Sequence, residues 1–310
     1  MAYHQVPRGK AEEEEMMEWK LEFLFYPHPG MANAVKNDKC DESQRQRLSD
    51  LCASVVSNPK ETSKLDELFE RLKKSPGMAL EIWRYDSMPI FLLQEVVAPY
   101  MILSTSKFDE RECHRLYTVL NILQILVSEP KIKKVFVDAR FPYYIYRYLV
   151  MSDSNSKHET LRISALGVIA SLLQNGDQYI HKQLKTTEVV PLLLKIVDLG
   201  SEASQLLSAN IFGLIIGNDD GLNYACQTFD RFSAINLMFN SLASQAVSLG
   251  STRLIKVALR IYIRLCAKPH IRALLSSKKP DGLFTDEASL LIASDGECKA
   301  LFKTFTNLIC

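Results

Sequence analysis

The chain has 310 residues, 47% of them hydrophobic, and a formal net charge of +1. It is long enough to bury a large apolar core, and its balanced charge gives no overall attraction to nucleic acid or anionic membranes. The sequence has no run of about 18 apolar residues and no secretory signal, which excludes a membrane span. The seven cysteines form no Cys-x-x-Cys pair, and we therefore expect a soluble protein of the cytoplasm and nucleus.

Residues 1–42 differ from the rest of the chain. They contain the acidic run Glu12–Glu15 and an apolar cluster within Leu21–Phe25. This composition predicts a poorly ordered N-terminal extension, followed by a single helical domain at 43–310. The apolar cluster either docks on that domain or on a partner, or it belongs to a tail without a specific function.

Apolar helical segments recur along the domain. Leu120, Leu166, Ile211 and Leu259 mark equivalent positions about 45 to 48 residues apart, a period typical of repeats of two or three helices. Within each segment the apolar residues are three and four positions apart, which indicates helices rather than strands. The predicted fold class is all-α, a helical-repeat solenoid.

A common order of turns and helices supports this prediction. Each apolar helix is followed by a polar turn, a short helix and a second helix, and Phe141-Pro142 and Val190-Pro191 begin two of these second helices. Proline suits the first helical turn, where its missing N–H costs no intrahelical bond. Stacked repeats of this kind present concave and convex surfaces that mostly bind other macromolecules.

No pattern in the sequence predicts catalysis. The six histidines form no metal-binding motif, and no glycine-rich phosphate loop or Gly-x-Ser-x-Gly elbow occurs. Cys113 and His114 are adjacent and would point from different faces of a helix. Asp219-Asp220 before Gly221 is better explained as a turn and helix cap than as an acid/base pair. We expect a protein that is not an enzyme and needs no cofactor or metal.

Four cations form a basic stripe on one predicted helix. Arg253, Lys256, Arg260 and Arg264 are three or four residues apart and therefore share a helical face. If this face lines the concave side, it could bind a peptide carboxylate or a phosphate backbone. The alternative is a solvated face that is paired with local acids.

Several long segments resemble one family. They are Leu161–Ile169 (Leu-Arg-Ile-Ser-Ala-Leu-Gly-Val-Ile), Thr187–Leu192 (Thr-Glu-Val-Val-Pro-Leu) and Gly221–Ser233 (Gly-Leu-Asn-Tyr-Ala-Cys-Gln-Thr-Phe-Asp-Arg-Phe-Ser). These segments are similar to the Rcd-one or Caf-forty family, the armadillo-repeat subunit of the CCR-NOT deadenylase complex, over about residues 58–276. The resemblance implies an armadillo-type fold and a non-catalytic adaptor. Such an adaptor binds the Not scaffold and recruits RNA-binding or silencing proteins for messenger RNA deadenylation, decay and translational repression.

The resemblance also implies binding residues. In the family the position of Leu207 supplies an apolar contact in the concave peptide groove, together with the basic stripe, although Leu207 could equally be a core residue. Phe229 and Arg231 match positions near pockets that capture tryptophans of silencing proteins, where an arginine offers cation–π stacking.

The chain departs from the family where the Not scaffold binds. The interface candidates are Trp83, Arg84, Asp86 and Ile90, and Asp86 stands where the family carries an aromatic residue. A charge at that position would weaken scaffold binding, so the sequence indicates a divergent paralogue. Three alternatives remain open: a nucleic-acid-binding scaffold, a diverged armadillo protein outside the complex, and a homodimer. An importin-like receptor is disfavoured because the chain has only two tryptophans.

Overall fold

The computed structural model describes residues 42–59, 61–151 and 156–310, so the predicted N-terminal extension lies outside the described residues except for Glu42. The described ranges contain α-helices, short 3-10 turns and no β-strand, which confirms the predicted all-α class. None of their helices is both long and apolar enough to cross a bilayer. The chain divides into two compact units, Met1–Gln174 and Asn175–Cys310.

The described part of unit 1 has eight α-helices: α1 (Glu42–Ser57), α2 (Thr62–Lys74), α3 (Ala79–Arg84), α4 (Met88–Val97), α5 (Glu110–Leu126), α6 (Pro130–Asp138), α7 (Phe141–Leu149) and α8 (Ser156–Leu173). Unit 2 has nine: α9 (Gln178–Lys185), α10 (Val189–Leu199), α11 (Glu202–Gly217), α12 (Asp219–Cys226), α13 (Phe229–Leu249), α14 (Thr252–Leu265), α15 (Pro269–Ser277), α16 (Asp286–Ser294) and α17 (Gly296–Ile309).

The helices form repeats of three. In unit 1 these are α3–α5 and α6–α8, preceded by α1 and α2; in unit 2 they are α9–α11, α12–α14 and α15–α17. The third helices pack side by side, α5 on α8 in unit 1, and α11 on α14 and α14 on α17 in unit 2. Each unit is therefore a helical-repeat stack of the solenoid type.

The third helices carry the residues that defined the sequence period. Leu120, Leu166, Ile211 and Leu259 lie in α5, α8, α11 and α14 and are fully buried. One residue of each third helix thus occupies the same position in the core. The period therefore reflects burial in the core. Each third helix removes apolar area from water, which stabilises the folded chain by about 25 cal/mol per Å².

Prolines and capping residues set the helix boundaries. Pro142 stands in the first turn of α7, as predicted, and Pro130 and Pro269, which the sequence pattern puts in polar turns, stand in the first turns of α6 and α15. Pro191 is the third residue of α10, where a backbone N–H also has no intrahelical acceptor. At the start of α12 the cap is Asn218, whose side chain accepts from the Asp220 amide at 2.8 Å. The predicted turn is present, but the capping role belongs to Asn218.

An aromatic cluster organises the core of unit 1. The rings of Phe136 and Phe141 are 4.6 Å apart, and Trp83 lies 6.1 Å and 5.8 Å from them. These residues come from α3, α6 and α7. The cluster therefore joins two successive repeats of unit 1.

Candidate partner-binding surfaces

The basic stripe lies on α14 between two neighbouring helices of unit 2. Lys256 pairs with Asp295 at 2.8 Å and with Glu297 at 3.2 Å, at the start of α17. Arg260 pairs with the same Glu297. Two cations of the stripe are thus bound by two carboxylates of the next third helix.

The other two cations turn toward α11 and α12. Arg264 donates to the carbonyl oxygens of Ile216 at 2.8 Å and Gly217 at 2.9 Å, and to Asp219 at 2.7 Å. It therefore caps the end of α11, where unpaired carbonyls attract a cation. Arg253 lies 3.7 Å from Glu202, the weakest pair of the four.

The pKa shifts of Lys256, Asp295 and Glu297 agree with these ion pairs. The hydrogen bond from Lys256 lowers the pKa of Asp295 to about 2, with help from the Cys298 amide. The same lysine lowers the pKa of Glu297, and Asp295 in turn raises the pKa of Lys256. Each ionised partner stabilises the other.

These contacts correct the interpretation of the stripe as a free basic surface. Its four cations meet four carboxylates, those of Glu202, Asp219, Asp295 and Glu297. The structure has the locally paired face that was the alternative. Within unit 2, a phosphate chain would have to displace these acids before it could contact the cations.

Leu207 belongs to the core of unit 2. It lies in α11 and is 1% exposed. A peptide could contact it only if neighbouring side chains moved, so its burial matches the core alternative and not a groove floor.

Phe229 and Arg231 lie two residues apart in the first turn of α13, and Arg231 is half-buried. Phe229 is 68% exposed. The guanidinium of Arg231 lies 3.9 Å from the ring centre of Tyr224 and donates to the carbonyl oxygen of that residue at 2.7 Å and to Gln227 at 3.2 Å. Tyr224 covers one face of the guanidinium, so a second aromatic ring would have to stack on the opposite face.

Three of the four scaffold candidates are exposed on unit 1. Arg84, Asp86 and Ile90 are exposed at the end of α3 and the start of α4, and Ile90 is 63% exposed. Trp83, by contrast, is 9% exposed in the aromatic cluster. This corrects its assignment as a contact residue, because its ring supports the core instead.

The described residues include no group of three or more His, Cys, Asp or Glu side chains that could hold a metal ion. His114 lies 3.1 Å from Asp66, but the Thr118 hydroxyl donates to Asp66 as well and not to the histidine, so no activated nucleophile results. Burial raises the pKa of the thiols of Cys52, Cys113, Cys226, Cys266 and Cys298. This makes them poor nucleophiles.

Repeat architecture and exposed surface sites together define an all-α helical-repeat protein. A model of the cell differentiation family, Rcd1-like, matches residues 51–309. The chain belongs to this family, which confirms the resemblance found in the sequence.

Two curated relatives are similar over most of the chain. The cell differentiation protein rcd1 of Schizosaccharomyces pombe is 31% identical over 229 residues, 74% of this chain and 81% of that protein. Protein CAF40 of Saccharomyces cerevisiae is 30% identical over 237 residues, 75% of this chain and 64% of that protein. The chain thus spans less than two thirds of the yeast CAF40 protein.

Two features of these sites were missed in the sequence. The acids that neutralise the stripe lie far along the chain; Glu297 is 37 residues from Arg260, and Asp219 is 45 from Arg264. Those separations approach one repeat. A carboxylate about one repeat away from each cation could therefore have indicated these ion pairs. Tyr224 stands seven residues before Arg231, and its place beneath the guanidinium depends on the turn between α12 and α13.

Proposed function

We propose that this chain is a non-catalytic adaptor subunit of the CCR-NOT deadenylase complex. In this proposal it binds the Not scaffold, acts in the cytoplasm and nucleus, and recruits RNA-binding or silencing proteins for messenger RNA decay and translational repression. Family membership over residues 51–309 supports the proposal. The helical-repeat fold agrees with it, because stacked repeats commonly bind peptides.

The observation that carries the proposal is the site of Phe229, Arg231 and Tyr224. Arg231 is held in place by a ring beneath it and by two hydrogen bonds. Little side-chain entropy is then lost when a tryptophan stacks on its outer face. Phe229, two residues earlier in the same first turn, offers exposed apolar area of its own. We therefore assign this site to tryptophans of silencing proteins.

A peptide with two tryptophans tests the assignment. We expect Arg231→Ala to weaken binding by about 1 kcal/mol or more, in the range of a cation–π contact that is shielded from water. The matched control is Arg253→Ala. It removes an exposed arginine of the same unit whose ion-pair partner, Glu202, lies 3.7 Å away. Titration calorimetry measures both, and equal affinities for the two variants would argue against the site.

Scaffold binding needs its own experiment. Ile90 and Arg84 offer an exposed apolar and cationic surface, and Asp86 adds a charge between them. Desolvating an unpaired carboxylate opposes binding. The test is a pull-down with the segment of the Not scaffold that binds members of this family. We expect the Asp86→Phe variant to bind this segment more tightly than the natural chain does. If neither binds, the chain acts outside the complex, the second alternative from the sequence.

The nucleic-acid alternative is the weaker one. It depends on cations that are free to contact phosphates, and the stripe on α14 is neutralised by carboxylates in the same unit. Weak nucleic-acid binding and homodimerisation are not part of the proposal.

A further inference from the structure

The turn before α9 contains the only Asn-Gly pair of the sequence, Asn175-Gly176. The pair lies in the 3-10 turn Gln174–Gly176, which follows α8. Both residues are exposed, and both have a positive φ, 66° for Asn175 and 65° for Gly176. Glycine and asparagine tolerate this left-handed region better than other residues do. The two residues therefore form an exposed turn at the surface.

The side-chain amide of Asn175 is not held in place. No hydrogen bond within the described part of the chain involves this side chain. The residue that follows is equally uncrowded, because a Cβ atom added to Gly176 would have no heavy atom within 4 Å. Water therefore reaches the amide, and the side chain is free to rotate toward the peptide bond that follows it.

Asparagine is a chemically labile residue, and this turn suits its intramolecular reaction. The backbone nitrogen of the next residue loses its proton and attacks the side-chain carbonyl carbon. The bond from that carbon to the amide nitrogen breaks, and ammonia leaves. Water then opens the resulting five-membered imide at either carbonyl, which gives aspartate or isoaspartate. A glycine in the next position favours the first step, because it has no Cβ to crowd the nitrogen and its backbone rotates freely.

The other asparagines of the described residues lack this combination of features. Asn58 precedes a proline, whose nitrogen carries no proton. The remaining ones lie in helices or at a helix cap and precede residues that have a Cβ. Asn218 is fixed as a cap by the Asp220 amide at 2.8 Å, and the exposed Asn223 precedes a tyrosine within α12. Asn175 is therefore the asparagine of this part of the chain that is best placed to react.

We propose that Asn175 is a modification site, at which the folded chain converts asparagine spontaneously to isoaspartate and aspartate. The reaction places a new carboxylate two residues before Asp177. The side chain of Asp177 caps α9 by accepting from the amides of Tyr179 at 2.9 Å and Ile180 at 3.3 Å. In the isoaspartyl product the main chain runs through the former side chain and is longer by one carbon. The modified chain is then more acidic and enters α9 through an altered backbone.

Peptide mapping by mass spectrometry tests the proposal on the full, folded chain. The chain is kept for days at neutral pH and physiological temperature, and each asparagine is scored for replacement of its amide NH2 by OH. An isoaspartate-specific carboxyl methyltransferase with labelled S-adenosylmethionine identifies the isoaspartyl product. We expect Asn175 to be converted many times faster than Asn218 and Asn223. The rate should rise with pH, because the backbone nitrogen attacks in its deprotonated form.

Two variants serve as controls. Asn175→Gln keeps an exposed amide but would need a six-membered ring, so conversion at this position should be almost lost. Gly176→Ala adds a methyl group to the attacking residue, in open space but at a φ that strains the turn, and should slow conversion severalfold. Circular dichroism checks that both variants are folded.

Two outcomes overturn the proposal. In the first, Asn175 stays unmodified in the folded chain and reacts only after denaturation in urea, so that the turn protects it. In the second, Asn218 or Asn223 is converted as fast as Asn175. Because no partner is added, either result is independent of the adaptor function.

Discussion

The side chain of Arg264 joins the carbonyl end of α11 to Asp219, the first residue of α12. Its three hydrogen bonds span 2.7 to 2.9 Å. The arginine comes from α14, the third helix of the repeat that α12 begins, so it ties this repeat to the end of the preceding one. The turn between α11 and α12 is tight, because a Cβ atom at Gly221 would lie 1.9 Å from the Ile215 carbonyl oxygen.

Removing this arginine should destabilise unit 2. We expect Arg264→Ala to cost about 1 to 3 kcal/mol, because it leaves helix-end carbonyls without their charged donor. Arg253→Ala, which removes one exposed pair, should cost less than about 0.5 kcal/mol. Urea denaturation followed by circular dichroism compares them, and equal losses would contradict a capping role for Arg264.

The pair of Lys256 and Asp295 should make stability depend on acidity. The folded pKa of Asp295 is lowered from 3.8 to about 2, so its contribution is present above 3.8 and is lost as the pH falls through about 2. Asp295→Asn keeps a side chain that can cap α17 but removes the charge. We expect this variant to show a flatter loss of thermal stability between pH 4 and pH 2 than the unaltered chain. An identical acid profile would exclude the pair as the cause.

Leu207→Glu should unfold unit 2 locally instead of only blocking a peptide. The side chain is 1% exposed, and an unpaired buried carboxylate is strongly unfavourable. Leu207→Ala should cost about 2 to 5 kcal/mol. Thermal melts measure both, with Leu290→Glu as the exposed control. If the glutamate variant keeps its full helicity but loses peptide binding, Leu207 is a groove residue and not a core residue.

Freeing the stripe should create nucleic-acid affinity. Asp295→Asn with Glu297→Gln leaves Lys256 and Arg260 without their carboxylates. We expect tighter binding of single-stranded RNA and a salt dependence steeper by about 1.4 in slope, as for two added phosphate contacts. Asp286→Asn with Glu287→Gln makes the same change in net charge at another exposed site. Equal affinities for the two double variants would mean that the freed cations do not reach the RNA.

Much of the fold could be predicted because local patterns determine it. Buried residues such as Leu166 recur with the repeat, and Pro142 stands in the first turn of its helix because its backbone geometry suits that position. Periodicity also predicted that the four stripe residues share one side of α14.

The sites could be predicted less well because they depend on contacts between repeats. Whether Arg260 is free depends on Glu297, which only the packing of α17 on α14 brings near. Spacing alone could not separate Leu207 as core from Leu207 as groove floor, since apolar residues serve both. Trp83 shows the same ambiguity, because a large aromatic residue beside an interface can support the core beneath it.

Because most of its thiols are buried, the described part of the chain has one cysteine that is suited to chemical labelling. Of its six cysteines only Cys310 is exposed, and burial raises the pKa of the other five. Maleimide at neutral pH should therefore modify Cys310 far ahead of them. With Cys40, which lies outside the described residues, replaced by serine, a single fluorophore or surface anchor can be attached at Cys310 without altering the core.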